Sequence, residues 1–127
     1  MASQSVTIDG FSAPPLTPST HTLNSANSTN ATSVKASAGT AFAITISNNG
    51  AAAAFVKLYN KASAPTVGTD TPIAVLPVGA SAAVTHELGA LGMRFSTGIA
   101  LAITNLIADS DATAVAAGQV KTALAYV

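Results

Sequence analysis

The fold is decided by residues 40–48, which read TAFAITISN. Apolar residues alternate here with small or polar ones, so that Ile44 and Ile46 face one way and Thr45 and Ser47 face the other. A period of two is typical of a β-strand that packs one face on a core, because successive side chains leave a strand on opposite sides. The stretch therefore predicts a half-buried strand.

The same alternation recurs in short segments from residue 32 to the end of the chain. The predicted strands are residues 32–38, 40–48, 52–60, 73–78, 82–88, 93–96, 98–105 and 119–127. Turn-forming residues such as Gly39, Asn49-Gly50, Gly79 and Gly89 separate them. Seven to eight short antiparallel strands with regular turns predict an all-β fold, either a β-sandwich or a jelly roll.

Two alanine-rich segments offer a competing interpretation, because alanine has the best helix propensity. Residues 51–54 are followed directly by the β-formers of residues 55–59, which argues against a helix there. For residues 112–117 a single helical turn remains open.

The N-terminal part of the chain has a different composition. Residues 11–32 hold Pro14, Pro15 and Pro18, followed by a run of Ser, Thr and Asn with scarcely an apolar side chain. Proline at this density favours extended backbone, and the short polar side chains compete for backbone hydrogen bonds. We therefore predict an extended N-terminal arm over residues 1–31, with a short strand at residues 5–8, and a β-sandwich domain over residues 32–127.

Two registers are possible for a hairpin turning at Gly50. A two-residue loop would pair Ile44 with Phe55, whereas a three-residue loop with left-handed Gly50 pairs Ile44 with Val56. The second register is preferred because it keeps Lys57 off the apolar face. It also predicts a core, made of Ile44, Ile46, Val56, Leu58, Ile99, Leu101, Ile103, Val120 and Leu124.

In this register Phe55, Lys57 and Tyr59 share the face opposite the core. Two aromatic rings among alanines suit a partner surface, and these three residues are the predicted partner interface. The alternative is that a second layer or the arm covers them within the same subunit.

Composition excludes several classes of function. The net charge is zero and 8 % of the 127 residues are charged, against roughly 25 % in an ordinary soluble domain. Such a chain lacks the basic surface that nucleic-acid binding needs. The sequence has no cysteine, no apolar run long enough for a membrane helix and no signal-peptide pattern at its start, so we expect synthesis in a cytoplasm and no membrane partner.

Residues able to carry catalysis are scarce. His21 lies in the polar arm, and His86 and Glu87 are neighbours in a predicted strand, which sends their side chains to opposite faces. No catalytic, cofactor or metal site is predicted, and the protein is not expected to be an enzyme. Asp109 and Asp111 flank Ser110 and could share a cation, but Asp-Ser-Asp is also common turn chemistry.

Three blocks of sequence resemble small virion structural proteins of tailed bacteriophages. They are residues 55–72, FVKLYNKASAPTVGTDTP, residues 95–104, FSTGIALAIT, and residues 108–115, ADSDATAV. The likeness covers the body from about residue 32 to residue 127 but not the arm.

The resemblance implies a β-sandwich on the outer surface of a phage particle. The function expected from it is that of a capsid decoration (cement) protein that binds and stabilises the assembled head. The expected partners are the major capsid protein or another virion protein, and further copies of the chain, with a trimer favoured. A tail, neck or fibre-associated protein is the alternative, and a receptor- or carbohydrate-binding sandwich ranks lower because the chain has no Trp.

Overall fold

In a computed structural model, the chain is an all-β protein. The structure describes residues 6–8, 11–13 and 17–127, and among them there is no helix, and hence none with the length and apolarity to cross a membrane. The remaining residues of the predicted arm, 1–5, 9–10 and 14–16, lie outside the described part. The strands are β1 Val6–Ile8, β2 Phe11–Ala13, β3 Ser19–Asn24, β4 Thr32–Lys35, β5 Gly39–Asn48, β6 Ala54–Asn60, β7 Ala74–Val78, β8 Ala82–Glu87, β9 Met93–Phe95, β10 Ile99–Thr104 and β11 Val120–Tyr126.

Nine of these strands build two antiparallel sheets that pack face to face. The four-stranded sheet has the order β4-β10-β6-β7, and the five-stranded sheet has the order β3-β11-β5-β8, with β9 also paired to β5. The short strands β1 and β2 form a separate two-stranded sheet. The all-β sandwich is thereby confirmed, with nine strands in its two sheets where the sequence predicted seven to eight.

The core between the sheets contains the residues that the alternation selected. All nine predicted core residues are fully buried, Ile44 and Ile46 from one sheet against Leu101 and Ile103 from the other. Each aliphatic side chain of this size gains about 1.5–3 kcal/mol on burial. Because the aromatic content is low, this aliphatic layer supplies most of the stabilisation.

The predicted hairpin of β5 and β6 is wrong. Strand β5 pairs with β11, β8 and β9, whereas β6 pairs with β10 and β7, so the chain crosses from one sheet to the other between residues 48 and 54. Gly50 is not left-handed, and a Cβ there would lie 2.6 Å from Nε2 of Gln119. Ile44 and Val56 meet across the core instead of along a ladder, and for that reason alternation alone places both correctly.

Part of the predicted arm belongs to the sandwich. Residues 19–24 form β3, which pairs with β11 along its whole length, Ser19 opposite Tyr126 and Asn24 opposite Lys121. The polar run that follows is fixed by its own hydrogen bonds. Ser25 Oγ donates to the Ala116 carbonyl at 2.7 Å and accepts from the Val120 amide at 3.0 Å. Local polar side chains therefore anchor this segment to the body.

The open question at residues 112–117 is decided against a helical turn. Val115 forms an isolated bridge with Ser28 and is buried in the core. This contact explains why an alanine-rich segment is extended here. The free energy gained by burying Val115 outweighs the small free-energy preference of the neighbouring alanines for a helix.

Candidate functional site

Two loops cover the outward side of the four-stranded sheet. Residues 61–72 connect β6 to β7, and residues 105–114 follow β10. Val67 of the first loop packs against Tyr59, Ala100 and Ala102. We call the outward residues of β6 and β10, together with residues 61–72 and 105–114, the capped face.

The three residues predicted as a partner interface all lie on the capped face. Register places Phe55, Lys57 and Tyr59 opposite Thr104, Ala102 and Ala100 of β10. Lys57 is 0 % exposed and Tyr59 is 1 % exposed, whereas Phe55 is half-buried. Two of the three side chains are therefore interior and not part of a partner surface; the chain's own loops cover them, where the alternative interpretation named a second layer or the arm.

Lys57 ties the second loop to the sheet. Its Nζ donates to the carbonyl oxygens of Ala108 at 2.6 Å and Asp111 at 3.0 Å. No carboxylate forms an ion pair with it, because among the described residues Lys61 and Asp70 make the only ion pair. Burial lowers the pKa of Lys57, and the negative charges of Asp111 and Asp109 offset this only in part. The ammonium is thus held by backbone oxygens.

Tyr59 lies beneath the first loop. Its ring is packed with Val67 and two alanines of β10, and its buried hydroxyl has no hydrogen-bond partner. Burial raises the pKa of Tyr59, and the negative charges of Asp70 and Asp109 raise it further. The ring therefore stabilises the fold through apolar contacts, while the buried hydroxyl without a hydrogen bond lowers its stability.

The carboxylate of Asp111 organises its own loop. Its Oδ2 accepts hydrogen bonds from Thr113 Oγ1 at 2.6 Å, from the Thr113 amide at 3.3 Å and from the Leu106 amide at 3.2 Å. Burial favours the neutral acid, but these hydrogen bonds and the charge of Lys57 outweigh it and lower the pKa of Asp111. Among the described residues no three His, Asp or Glu side chains gather around a possible metal site. The geometry is that of turn chemistry.

An ion pair closes the first loop. Asp70 Oδ2 accepts from Lys61 Nζ at 2.5 Å and from the Thr66 amide at 2.7 Å. The hydrogen bond from Lys61 is the main reason why the pKa of Asp70 is lowered, and the Thr66 amide adds to it. Gly68 has φ +91°, which side chains rarely adopt. Its lack of a Cβ also lets the two loops approach closely, since a Cβ there would lie 3.2 Å from the Ser110 carbonyl oxygen.

Parts of three sequence segments come together on this face. Residues 55–72 supply β6 and the first loop, residues 95–104 supply β10, and residues 108–115 supply the backbone that receives Lys57. Residues 55–72 are well separated in sequence from the other two segments, and β6 pairs with β10 over six residues. Phe95 belongs to β9 of the five-stranded sheet, so only part of residues 95–104 lies on the capped face.

Two exposed apolar residues stand on the second loop. Leu106 is 57 % exposed and Ile107 is 63 % exposed, just past Thr104, which lies opposite half-buried Phe55. The strand prediction ended at residue 105 and passed over them. The available signal was two large apolar residues in succession among turn residues, where a solvated loop would carry polar ones.

A polar cleft of 670 Å³ lies at the end of the five-stranded sheet that holds Asn48. Ser47, Asn49 and Lys121 line it, with Ser81 and Gln119. Asn48 itself is buried and fully engaged, donating to the carbonyls of Ala52 and Gly79. Its side chain holds the crossing between the sheets.

The two histidines lie on strands of the five-stranded sheet. His86 Nε2 lies 2.9 Å from the Pro77 carbonyl and so links strand β8 to strand β7 of the opposite sheet. His21 is half-buried on β3, and its Nδ1 has no partner. Neither faces a nucleophile or an acid, so the geometry supplies no acid–base pair.

No family model, curated protein or solved structure matches this chain. The resemblance to phage virion proteins consequently rests on the three sequence blocks alone.

Proposed function

We propose that this protein is a non-enzymatic structural component of a bacteriophage particle. Its role is that of a capsid decoration (cement) protein that binds the outer surface of the assembled head and stabilises it. Its partner is the major capsid protein or another virion protein, and it acts as a homo-oligomer, with a trimer favoured. The capped face is the surface that meets the particle.

One observation carries this proposal. Parts of the three blocks that resemble virion proteins meet on the capped face, where Lys57 and Tyr59 hold two loops against the sheet. Loops fixed on a rigid sheet present a defined surface at little entropic cost, and such a surface suits a repeated contact on a lattice.

Carbohydrate binding is a weaker candidate. The 670 Å³ cleft offers the hydroxyl of Ser47, the amide of Asn49 and the ammonium of Lys121, but no aromatic ring lines it. Without a stacking platform, a sugar would bind through hydrogen bonds alone.

The test is to locate the protein on intact particles. Gold-labelled antibody against the chain is applied to virions of the phage that encodes it and imaged by electron microscopy. Label spread over the head supports decoration. Label confined to the tail or neck assigns the alternative virion role, and particles without label refute a virion role altogether.

A pair of substitutions tests the capped face itself. Thr69→Arg adds a long charged side chain at an exposed position of the first loop. We expect it to lower the binding of the protein to particles from which the native copies have been removed by about tenfold or more. Thr22→Arg, at an exposed position of β3 on the other sheet, is the matched control and should bind as wild type. Equal binding by both variants contradicts the assignment of this face.

A further inference from the structure

Strand β3 forms an open edge of the five-stranded sheet. Residues 19–24 pair with β11 on one side in an uninterrupted register, and no other described strand pairs with them. We call the side of β3 that faces away from β11 its free edge. Such an edge presents unpaired backbone N–H and C=O groups, which can template the addition of another strand, so proteins usually protect it with charges, proline, bulges or short strands.

The other sheet edges carry these protections. Strand β4 has four residues, ends in Lys35 and has a register shift against β10. Strand β7 contains Pro77, which lacks a backbone N–H. On the far side of the five-stranded sheet, β8 ends in Glu87 and β9 holds Arg94. Strand β3 differs from all of them, because its six residues, STHTLN, include no Lys, Arg, Asp, Glu or Pro.

A hydrogen bond just past β3 shows which of its backbone groups point outward. Ser25 lies opposite Val120 in the ladder, and its amide donates to the Val120 carbonyl at 2.8 Å. Because backbone direction alternates along a strand, the odd-numbered residues of β3 also direct their N–H and C=O groups at β11. The even-numbered residues direct theirs at the free edge. These are Thr20, Thr22 and Asn24.

We propose that the free edge of β3 pairs antiparallel with the same edge of a second copy of this chain, across a two-fold axis at Thr22. In that register Thr22 lies opposite Thr22 of the second copy, and Thr20 lies opposite Asn24 of the second copy. Opposing residues of this type exchange two hydrogen bonds, so the contact forms about six in total. The two five-stranded sheets then continue as one sheet.

The edge is complementary to itself. A two-fold contact brings each side chain close to its own symmetry mate or to a near neighbour, so an acidic residue, lysine or arginine in the strand would repel its copy. Strand β3 has none, and threonine pairs across strands are favourable. On its inner side His21 and Leu23 are half-buried. The same register places His21 opposite Leu23 of the second copy, which covers surface that one subunit leaves exposed.

This contact goes beyond the proposed function and does not depend on it. Strand β3 belongs to the five-stranded sheet, whereas the capped face belongs to the four-stranded sheet. A two-fold contact at β3 can therefore join two subunits, or two larger oligomers, without the capped faces taking part.

The first test is sedimentation velocity of the full chain from micromolar to sub-millimolar concentrations. Thr22→Pro removes an N–H that faces away from β11 and places a ring at the free edge. It should weaken association by about tenfold or more, and so halve the mass of the largest species, whether wild type is a dimer or a pair of trimers. Thr22→Ala keeps the N–H and is the matched control, which should associate within about threefold of wild type.

The second test follows amide hydrogen exchange by NMR on the unmodified chain. In a concentrated sample the amides of Thr20, Thr22 and Asn24 should exchange about tenfold more slowly than in a dilute one, because pairing protects them. The amides of His21 and Leu23 face β11 and should be equally protected in both samples. Another interface would leave the three outward amides unchanged.

The outcomes that overturn the proposal are distinct. Equal masses for wild type and Thr22→Pro would refute it, as would a wild-type chain that stays monomeric over this range. An equal loss of association by Thr22→Ala would assign the contact to the side chain and contradict backbone pairing. If Thr22→Pro does not fold, the exchange measurement on wild type decides alone. None of these results bears on the labelling of particles, so a failure here is distinguishable from a failure of the proposed function.

Discussion

The outward sides of the two sheets differ in what covers them. On the capped face all six residues of β10 are buried, because loops lie over one side and the core over the other. On the five-stranded sheet the outward residues are exposed or half-buried, and β8 alternates between exposed and half-buried positions. We call the outward residues of β11, β5 and β8 the bare face.

The residue types match this difference. The bare face carries small or polar residues such as Thr45, Ser47 and Thr85, with Lys121 at its edge. The capped face carries Phe55, Lys57 and Tyr59. Lys57 and Tyr59 lie where loops remove them from water, whereas Thr45, Ser47 and Thr85 lie exposed. The asymmetry indicates that loops, as much as strands, decide which positions are interior.

The largest expected effect separates the two faces by stability. Tyr59→Ala removes a buried ring and should lower the free energy of unfolding by about 3–5 kcal/mol. Ser47→Ala, at an exposed position of the bare face, should change it by about 0.5 kcal/mol or less. Urea unfolding of the isolated chain measures both. If Tyr59→Ala left stability unchanged, the ring would be a contact surface and not part of the interior.

The second comparison sets two lysines against each other. Lys57→Met keeps most of the side-chain volume but removes two hydrogen bonds to the second loop. This should lower the free energy of unfolding by about 1–3 kcal/mol. It should also speed amide hydrogen exchange in residues 105–114. Lys121→Met, on the bare face, should stay within about 0.5 kcal/mol of wild type. Faster exchange elsewhere, with no change at residues 105–114, would contradict the role of Lys57 as a tie.

These two faces also delimit what the sequence could predict. Where one side of a strand is wet, as in β5, alternation identified Ile44 and Ile46 correctly. Where both sides are covered, as in β6, alternation cannot distinguish a contact face from an interior one, so Lys57 and Tyr59 were expected outside. The covering loops are irregular, and no periodicity reveals where a loop folds back.

Strand pairing was the second limit. Ile44 and Val56 were placed in one ladder because their strands are consecutive, yet the buried Asn48 amide holds a crossing between sheets. Strand β3 was missed because Ser, Thr and Asn dominate it, and its identity comes from pairing with β11. Both errors arise from tertiary contacts that local patterns do not encode.

A third prediction uses pH to examine the capped face. Because burial lowers the pKa of Lys57 below 10.5, the folded chain loses this proton at a lower pH than the unfolded chain. The unfolded state then binds more protons, so stability rises with pH up to about 10.5. Tyr59 acts in the opposite direction above its ordinary pKa. We therefore compare wild type with Lys57→Met, and expect wild type to gain stability relative to the variant as pH rises from the lowered pKa of Lys57 towards 10.5. A constant difference would show that Lys57 is not desolvated.

The smallest expected effect concerns the ion pair that closes the first loop. Lys61 and Asp70 are about one third exposed, so solvent screens the pair and Asp70→Asn should destabilise the chain only slightly. The sign of its pH dependence is nevertheless defined. The pKa of Asp70 is lowered below 3.8, so its contribution is present at neutral pH and is lost as pH falls through the folded pKa.

Glu87→Gln is the matched control, because Glu87 is exposed at the edge of the bare face and makes no ion pair there. Urea unfolding at neutral and at strongly acidic pH should show the difference between wild type and Asp70→Asn disappearing in acid, while Glu87→Gln follows wild type at neutral pH. A difference that persisted in acid would mean that the Asp70 side chain acts through packing and not through its charge.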